Sequence, residues 1–138
     1  VRNGIDVVQS RTKFPAFRDQ SFAAHCEFWV QAADKFDYLM ALPEAVQIRQ
    51  EDLLDEPGTV FSRITAHLGL ENSPEPLNYV QTTLVHSRGD KATHENVDVR
   101  KSLQERAPSH ETWDATERET FKRICGDAME KLGYAIPF

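Results

Sequence analysis

Val1-Arg2-Asn3-Gly4-Ile5-Asp6-Val7-Val8-Gln9-Ser10 opens the chain, and the reading of its first four residues decides the fold. Asn3-Gly4 is a turn signal. Beyond it, Ile5, Val8 and Arg11 with Thr12 share one helical face, and Pro15 ends the pattern, so a short helix is predicted over 4–13. Val1-Arg2 then reads as the end of a strand that turns into this helix. Open α/β sheets present ligand sites at their carboxyl edge in this way.

The rest of the chain is read against that start. From Ser21 to Leu42, the residues Phe22, Cys26, Trp29, Val30, Ala33, Phe36, Leu39 and Met40 recur at i, i+3, i+4 and i+7, which predicts a long amphipathic helix. Ala45-Val46-Gln47-Ile48-Arg49 is short and partly β-branched, and it alternates apolar with polar positions from Val46, so a strand is expected there. One strand alone leaves its backbone groups unpaired. Val1-Arg2 is its expected neighbour, with further strands expected upstream, because the chain opens at Val1 with no initiator Met and reads as cut from something longer. Asp55-Glu56-Pro57 starts a third helix, with Val60, Phe61, Ile64 and Leu68 as its buried stripe and Gly69 as its stop. Pro74 and Pro76 bound a modest helix carrying Leu77, Val80, Thr83 and Leu84, whereas 87–112 loses all periodicity and reads as a functional or mobile loop. A last helix runs from Asp114 to Leu132, with Thr116 and Glu119 as capping box, Phe121, Ile124, Cys125, Ala128, Met129 and Leu132 as stripe, and Gly133 as stop. The fold class expected is α/β, mostly helical with one or two parallel strands, in a single domain over 1–138.

Composition narrows the function. At 138 residues the chain is one ordinary domain in size. Sixteen basic against 22 acidic side chains leave a net charge of −6, which argues against a protein held on nucleic acid by its overall field while allowing a local basic site. Hydrophobic content of 40% with 28% charge is that of a folded chain, and no apolar run approaches a membrane span. Cys26 and Cys125 lie among apolar helical neighbours and read as buried free thiols, which favours a reducing, cytoplasmic setting. His25, His67, His86, His94 and His110 show neither metal-ligand spacing nor a nucleophile partner, so no metal is expected. Trp29 and Phe36 belong to a helical stripe and read as core; Trp113 is suited either to capping the core or to covering a bound ligand, and the core is favoured.

Arg2 and Ser10 are the pair with chemistry. A guanidinium at a strand end and a hydroxyl eight positions later on the following helix can converge on one anion, with planar charged donors from Arg2 and a neutral donor from Ser10. The residues alone leave open the plainer reading of an exposed Arg and a surface Ser. In Arg2, Asn3, Asp6 and Ser10 the segment resembles the 3′-phosphate-binding motif of the sulfotransferase family, whose donor is 3′-phosphoadenosine 5′-phosphosulfate (PAPS). Later landmarks fall in that family's order: Glu51-Asp52-Leu53 with Asp55 to Pro57, Leu68-Gly69-Leu70, and Leu132-Gly133-Tyr134. Gly4 stands where the family has Pro, Gln50 where Tyr is common, and His67 where Phe is common.

The resemblance implies the carboxyl-terminal part of a P-loop-like, three-layer fold that transfers a sulfuryl group from PAPS to a hydroxyl or amine acceptor. It implies that Arg2 and Ser10 bind the donor's 3′-phosphate, and that the phosphosulfate loop and the catalytic base belong to an upstream half. Ser87-Arg88-Gly89 with Lys91 resembles the family's later basic loop on the same phosphate, which would add Arg88 and Gly89 to the donor site; a solvated basic turn is the other reading. Two rival functions remain: a non-enzymatic helical interaction module built on the faces of 21–42 and 114–132, and another P-loop-type phosphotransferase preferring ATP.

Overall fold

Asn3 starts the first helix directly after the irregular Val1 and Arg2. In the computed structural model, which describes residues 1–83 and 109–138, the Asn3 side chain accepts the backbone N–H of Ile5 at 2.9 Å and caps α1 (Gly4–Lys13). Asp6 in the first turn and Arg11 and Lys13 in the last complement the helix dipole. Pro15 ends α1 and opens a 3₁₀ turn (Pro15–Phe17). Ser21 then caps α2 (Phe22–Met40) by accepting the N–H of Ala24 at 3.2 Å. After α3 (Gln50–Asp55), α4 (Pro57–His67) and α5 (Pro74–Thr83), a second 3₁₀ turn (Ser109–Thr112) leads into α6 (Ala115–Lys131).

Two compact units make up the described chain, one from 1–45 with 109–138 and one from 46–83. In the first, α2 packs on both α1 and α6. Val8, Cys26, Phe121, Cys125 and Met129 are fully buried, with Ile5, Trp29, Trp113 and Leu132 beside them. Each large apolar side chain in this cluster contributes about 1.5–3 kcal/mol by leaving water. Stripe positions on α2 and α6 are thus buried largely as their spacing predicts, except that Leu39 is exposed. The α6 capping box is set two residues before the expected one: Glu117 N–H donates to Asp114 Oδ1 at 2.8 Å and Asp114 N–H donates to Glu117 Oε2 at 3.0 Å.

In the second unit, Val60 of α4 is buried. The Thr65 hydroxyl donates to the carbonyls of Phe61 and Ser62 at 3.1 Å, and Asn72 Nδ2 donates to Ser62 Oγ at 3.0 Å. Leu68, expected on the buried stripe, is instead exposed as the C-cap of α4. Gly69 follows it at φ +65°, and Leu70 N–H donates back to Thr65 O at 2.8 Å, closing the helix by a Schellman turn.

The expected α/β architecture with one or two parallel strands is not found. Among the described residues every regular element is helical; Val1–Asn3 and 45–49 are irregular. Five alternating residues fit any extended connector, whereas a strand also needs a ladder partner. The Gln47 carbonyl, which a ladder would engage, accepts Arg63 Nη2 from α4 at 3.2 Å instead. At the amino end, Val1 and Arg2 are irregular and lead directly into the Asn3 cap. The irregular stretch expected over 87–112 falls outside the described residues, save for the 3₁₀ turn at its end.

Gly4 is fixed by packing. A Cβ added there would lie 2.8–2.9 Å from the indole of Trp29, against ring atoms that cannot swing aside, so the missing side chain is what lets α1 approach α2. Gly4→Ala is expected to destabilise the protein by about 1–3 kcal/mol, as overpacking does, read as a lowered urea midpoint; an unchanged midpoint would show that the indole can retreat.

Candidate functional site

Val7, Ser10, Arg11 and Phe14 recur at i, i+3, i+4 and i+7, which places them on one face of α1 and its C-cap. Ile5, Val8 and Gln9 turn the other way and are buried. The outward face, together with Arg2 and Phe17, lines a shallow concavity of about 200 Å³. Ser10 lies about 10 Å of helical rise beyond Asn3, and both Arg2 and Ser10 border the concavity. Neither the Arg2 guanidinium nor the Ser10 hydroxyl is engaged by another described residue.

The floor and wall of the concavity are aromatic and cationic. Phe14 is exposed and its ring lies 5.5 Å from that of Phe17, tilted by 34°. Arg11 stacks against Phe17 and against Phe28 of α2, and its Nη2 donates to Gln20 Oε1 at 3.1 Å. Two guanidinium groups and a hydroxyl around an apolar wall suit an anion attached to a flat or aliphatic body.

A single buried amide sets the rotation of α1 that presents this face. Gln9 is 7% exposed; its Oε1 accepts Trp113 Nε1–H at 2.5 Å and its Nε2 donates to Thr112 Oγ1 at 3.0 Å. Trp113 is therefore core, as favoured from sequence, and its ring meets Phe22, Phe121 and Phe138. Below α1, His25 of α2 is 2% exposed and its Nδ1 finds no partner among the described residues. Burial, and then the nearby Arg11 charge, push its pKa below the ordinary 6.5.

Arg2 and Ser10 both line this one concavity. Arg88, Gly89 and Lys91 lie outside the described residues. Gln9 and Arg11 were missed as site residues; the signal for Arg11 was its place at i+4 from Val7 and beside Ser10, while Gln9 carried no signal, being a polar residue on an apolar face. A larger groove of about 290 Å³ between α2 and α6 holds none of the expected residues. Its lining includes Asp34, Asp37 and Asp127, with Lys131 paired to Asp37. Among the described residues, no group of three His, Cys, Asp or Glu side chains is arranged to hold a metal ion, and no helix is long and apolar enough to cross a membrane.

Comparison of the chain with protein-family models, with curated proteins and with solved structures finds no match.

Two measurements test the framework beneath the site. Gln9→Leu leaves the Trp113 N–H buried without an acceptor and is expected to cost about 1–3 kcal/mol, seen as a lowered melting temperature. For His25, the unfolded chain takes up a proton below about pH 6.5 that the folded protein resists. Stability is therefore full above that value and falls as the pH drops below it; His25→Leu should flatten this slope, and a slope left intact would place the titrating group elsewhere.

Proposed function

We propose that this chain holds the 3′-phosphate of a PAPS-type nucleotide donor between Arg2 and Ser10, as the donor-binding part of a protein that transfers a sulfuryl group to a hydroxyl or amine acceptor. The observation that carries the reading is the shared concavity: a guanidinium and a hydroxyl eight residues apart in sequence line one surface with free donors. The resemblance of Arg2, Asn3, Asp6 and Ser10 to the sulfotransferase phosphate motif supplies the identity of the anion. The reading rests on this site and not on a fold, since the same chemistry is carried by unrelated architectures.

In such a reaction the acceptor oxygen or nitrogen attacks sulfur in line with the bridging oxygen of the leaving phosphate. Fixed donors at the far end of the nucleotide hold that geometry. Arg2 and Ser10 are assigned this positioning role, and no catalytic base is assigned in the chain. Substrate binding energy collected at the 3′-phosphate is then spent on orientation at sulfur.

A second reading has its own observation. Tyr38, Leu39 and Leu42, at and just beyond the end of α2, are exposed apolar or aromatic side chains, as an interaction module would present.

Calorimetric titration with adenosine 3′,5′-bisphosphate separates the two. Arg2→Ala should weaken binding by about tenfold to a hundredfold, the worth of a charge-assisted contact, and Ser10→Ala by about two- to tenfold. Equal affinity in all three proteins would remove the phosphate assignment and favour the interaction module, and tighter binding of ATP than of the bisphosphate would point to a phosphotransferase.

A further inference from the structure

Arg11 borders the same concavity as Arg2 and Ser10. Its guanidinium is held in place from several sides: the Phe28 ring centre lies 3.7 Å from Cζ, the Phe17 ring centre lies 4.1 Å away, and Gln20 accepts a hydrogen bond from Nη2. Aromatic rings attract the charge but offer the N–H groups no lone pair in the guanidinium plane. The Nε–H is buried and meets no acceptor among the described residues, and no carboxylate among them pairs with Arg11. This is a cation whose position is determined and whose hydrogen-bonding capacity is only partly used. A purely structural arginine would spend its donors on carbonyls or carboxylates, as buried polar groups do.

We propose that Arg11 is a second, preorganised cation of this concavity, and that Arg2, Ser10 and Arg11 together select a dianionic phosphate monoester over a singly charged phosphate diester. The proposal rests on the reading of the concavity as a 3′-phosphate site. A terminal phosphate carries up to two charges and three free oxygens, one for each of the three donors; a diester carries one charge and two free oxygens, so one donor is left without its partner. Because the two rings and Gln20 already hold Arg11, little side-chain freedom remains to be lost when the anion arrives.

The test compares adenosine 3′-monophosphate with adenosine 2′,3′-cyclic phosphate by calorimetry on the full chain. The unmodified protein should prefer the monoester by about tenfold to a hundredfold, and Arg11→Met, which keeps an apolar side chain between the rings, should bring the two ligands to near-equal affinity. Arg11→Lys keeps the charge and loses the planar fork, and should reduce the preference by about fivefold. Far-ultraviolet circular dichroism checks that each variant folds; should Arg11→Met not fold, Arg11→Lys decides, and an undiminished preference in it overturns the proposal. An unchanged preference in a folded Arg11→Met, with binding still lost in Arg2→Ala, makes Arg11 a packing residue and leaves the 3′-phosphate reading standing. If the unmodified protein binds neither ligand, both readings fall together.

Discussion

The amide of Gln9 is the joint on which the unit around α1 depends. It spends its oxygen on Trp113 and its nitrogen on Thr112, residues more than a hundred positions away in sequence, and it does so from inside the apolar face of α1. Trp113 in turn lies against Phe22, Phe121 and Phe138, so the amide ties α1 into the same aromatic cluster that seats α2 and α6. Successive residues on a helix are separated by about 100°. Slipping α1 by one residue would carry Ser10 off the outward face into the place of Gln9, where a hydroxyl is too short to serve both partners, and Arg11 into the place of Ser10. The orientation of the concavity is therefore a consequence of polar satisfaction in the core.

Helical periodicity made α1, α2, α4 and α6 legible from their apolar residues, and turn chemistry placed the ends of α4 and α6 at Gly69 and Gly133, both at positive φ. What misled was local pattern without its partner. The alternation over 45–49 has the form of a strand, but the Gln47 carbonyl is taken by an arginine side chain, and no ladder forms. Gln50–Asp55 is too short for a 3.6-residue period to declare itself, and was read only as a motif. The capping box of α6 was placed on Thr116 and Glu119 because a hydroxyl followed by a glutamate fits the rule; Asp114 and Glu117 fit it equally and come first. Of the candidate site, Arg2 and Ser10 were legible by spacing and likeness, whereas the Arg11 stack depends on Phe28 arriving from α2, a contact no local pattern encodes.

The same geometry weighs the later landmarks. Leu68-Gly69-Leu70 and Leu132-Gly133-Tyr134 are both Schellman closures: Leu70 N–H returns to Thr65 O, and Tyr134 N–H returns to Met129 O, each at 2.8–2.9 Å. Leu-Gly followed by an apolar residue is what such a closure asks of any helix, so these tripeptides speak for helix punctuation. Gly4 differs from them. Its place against Trp29 makes a residue without a side chain a packing requirement of this chain, and the Asn3 cap starts the helix without a proline at N1.

Cys26 and Cys125 meet where α2 and α6 cross, both fully buried, with the Cys125 thiol donating to the Cys26 carbonyl at 3.8 Å. Hydrogen bonding to its neighbour and loss of water push the Cys125 thiol far above its ordinary range, which starves it of the thiolate form that reacts. With no other sulfhydryl in the chain, thiol-specific reagents have no target until those two helices part. The crossing is in effect a stopwatch: the rate at which the protein takes up label counts how often its centre opens.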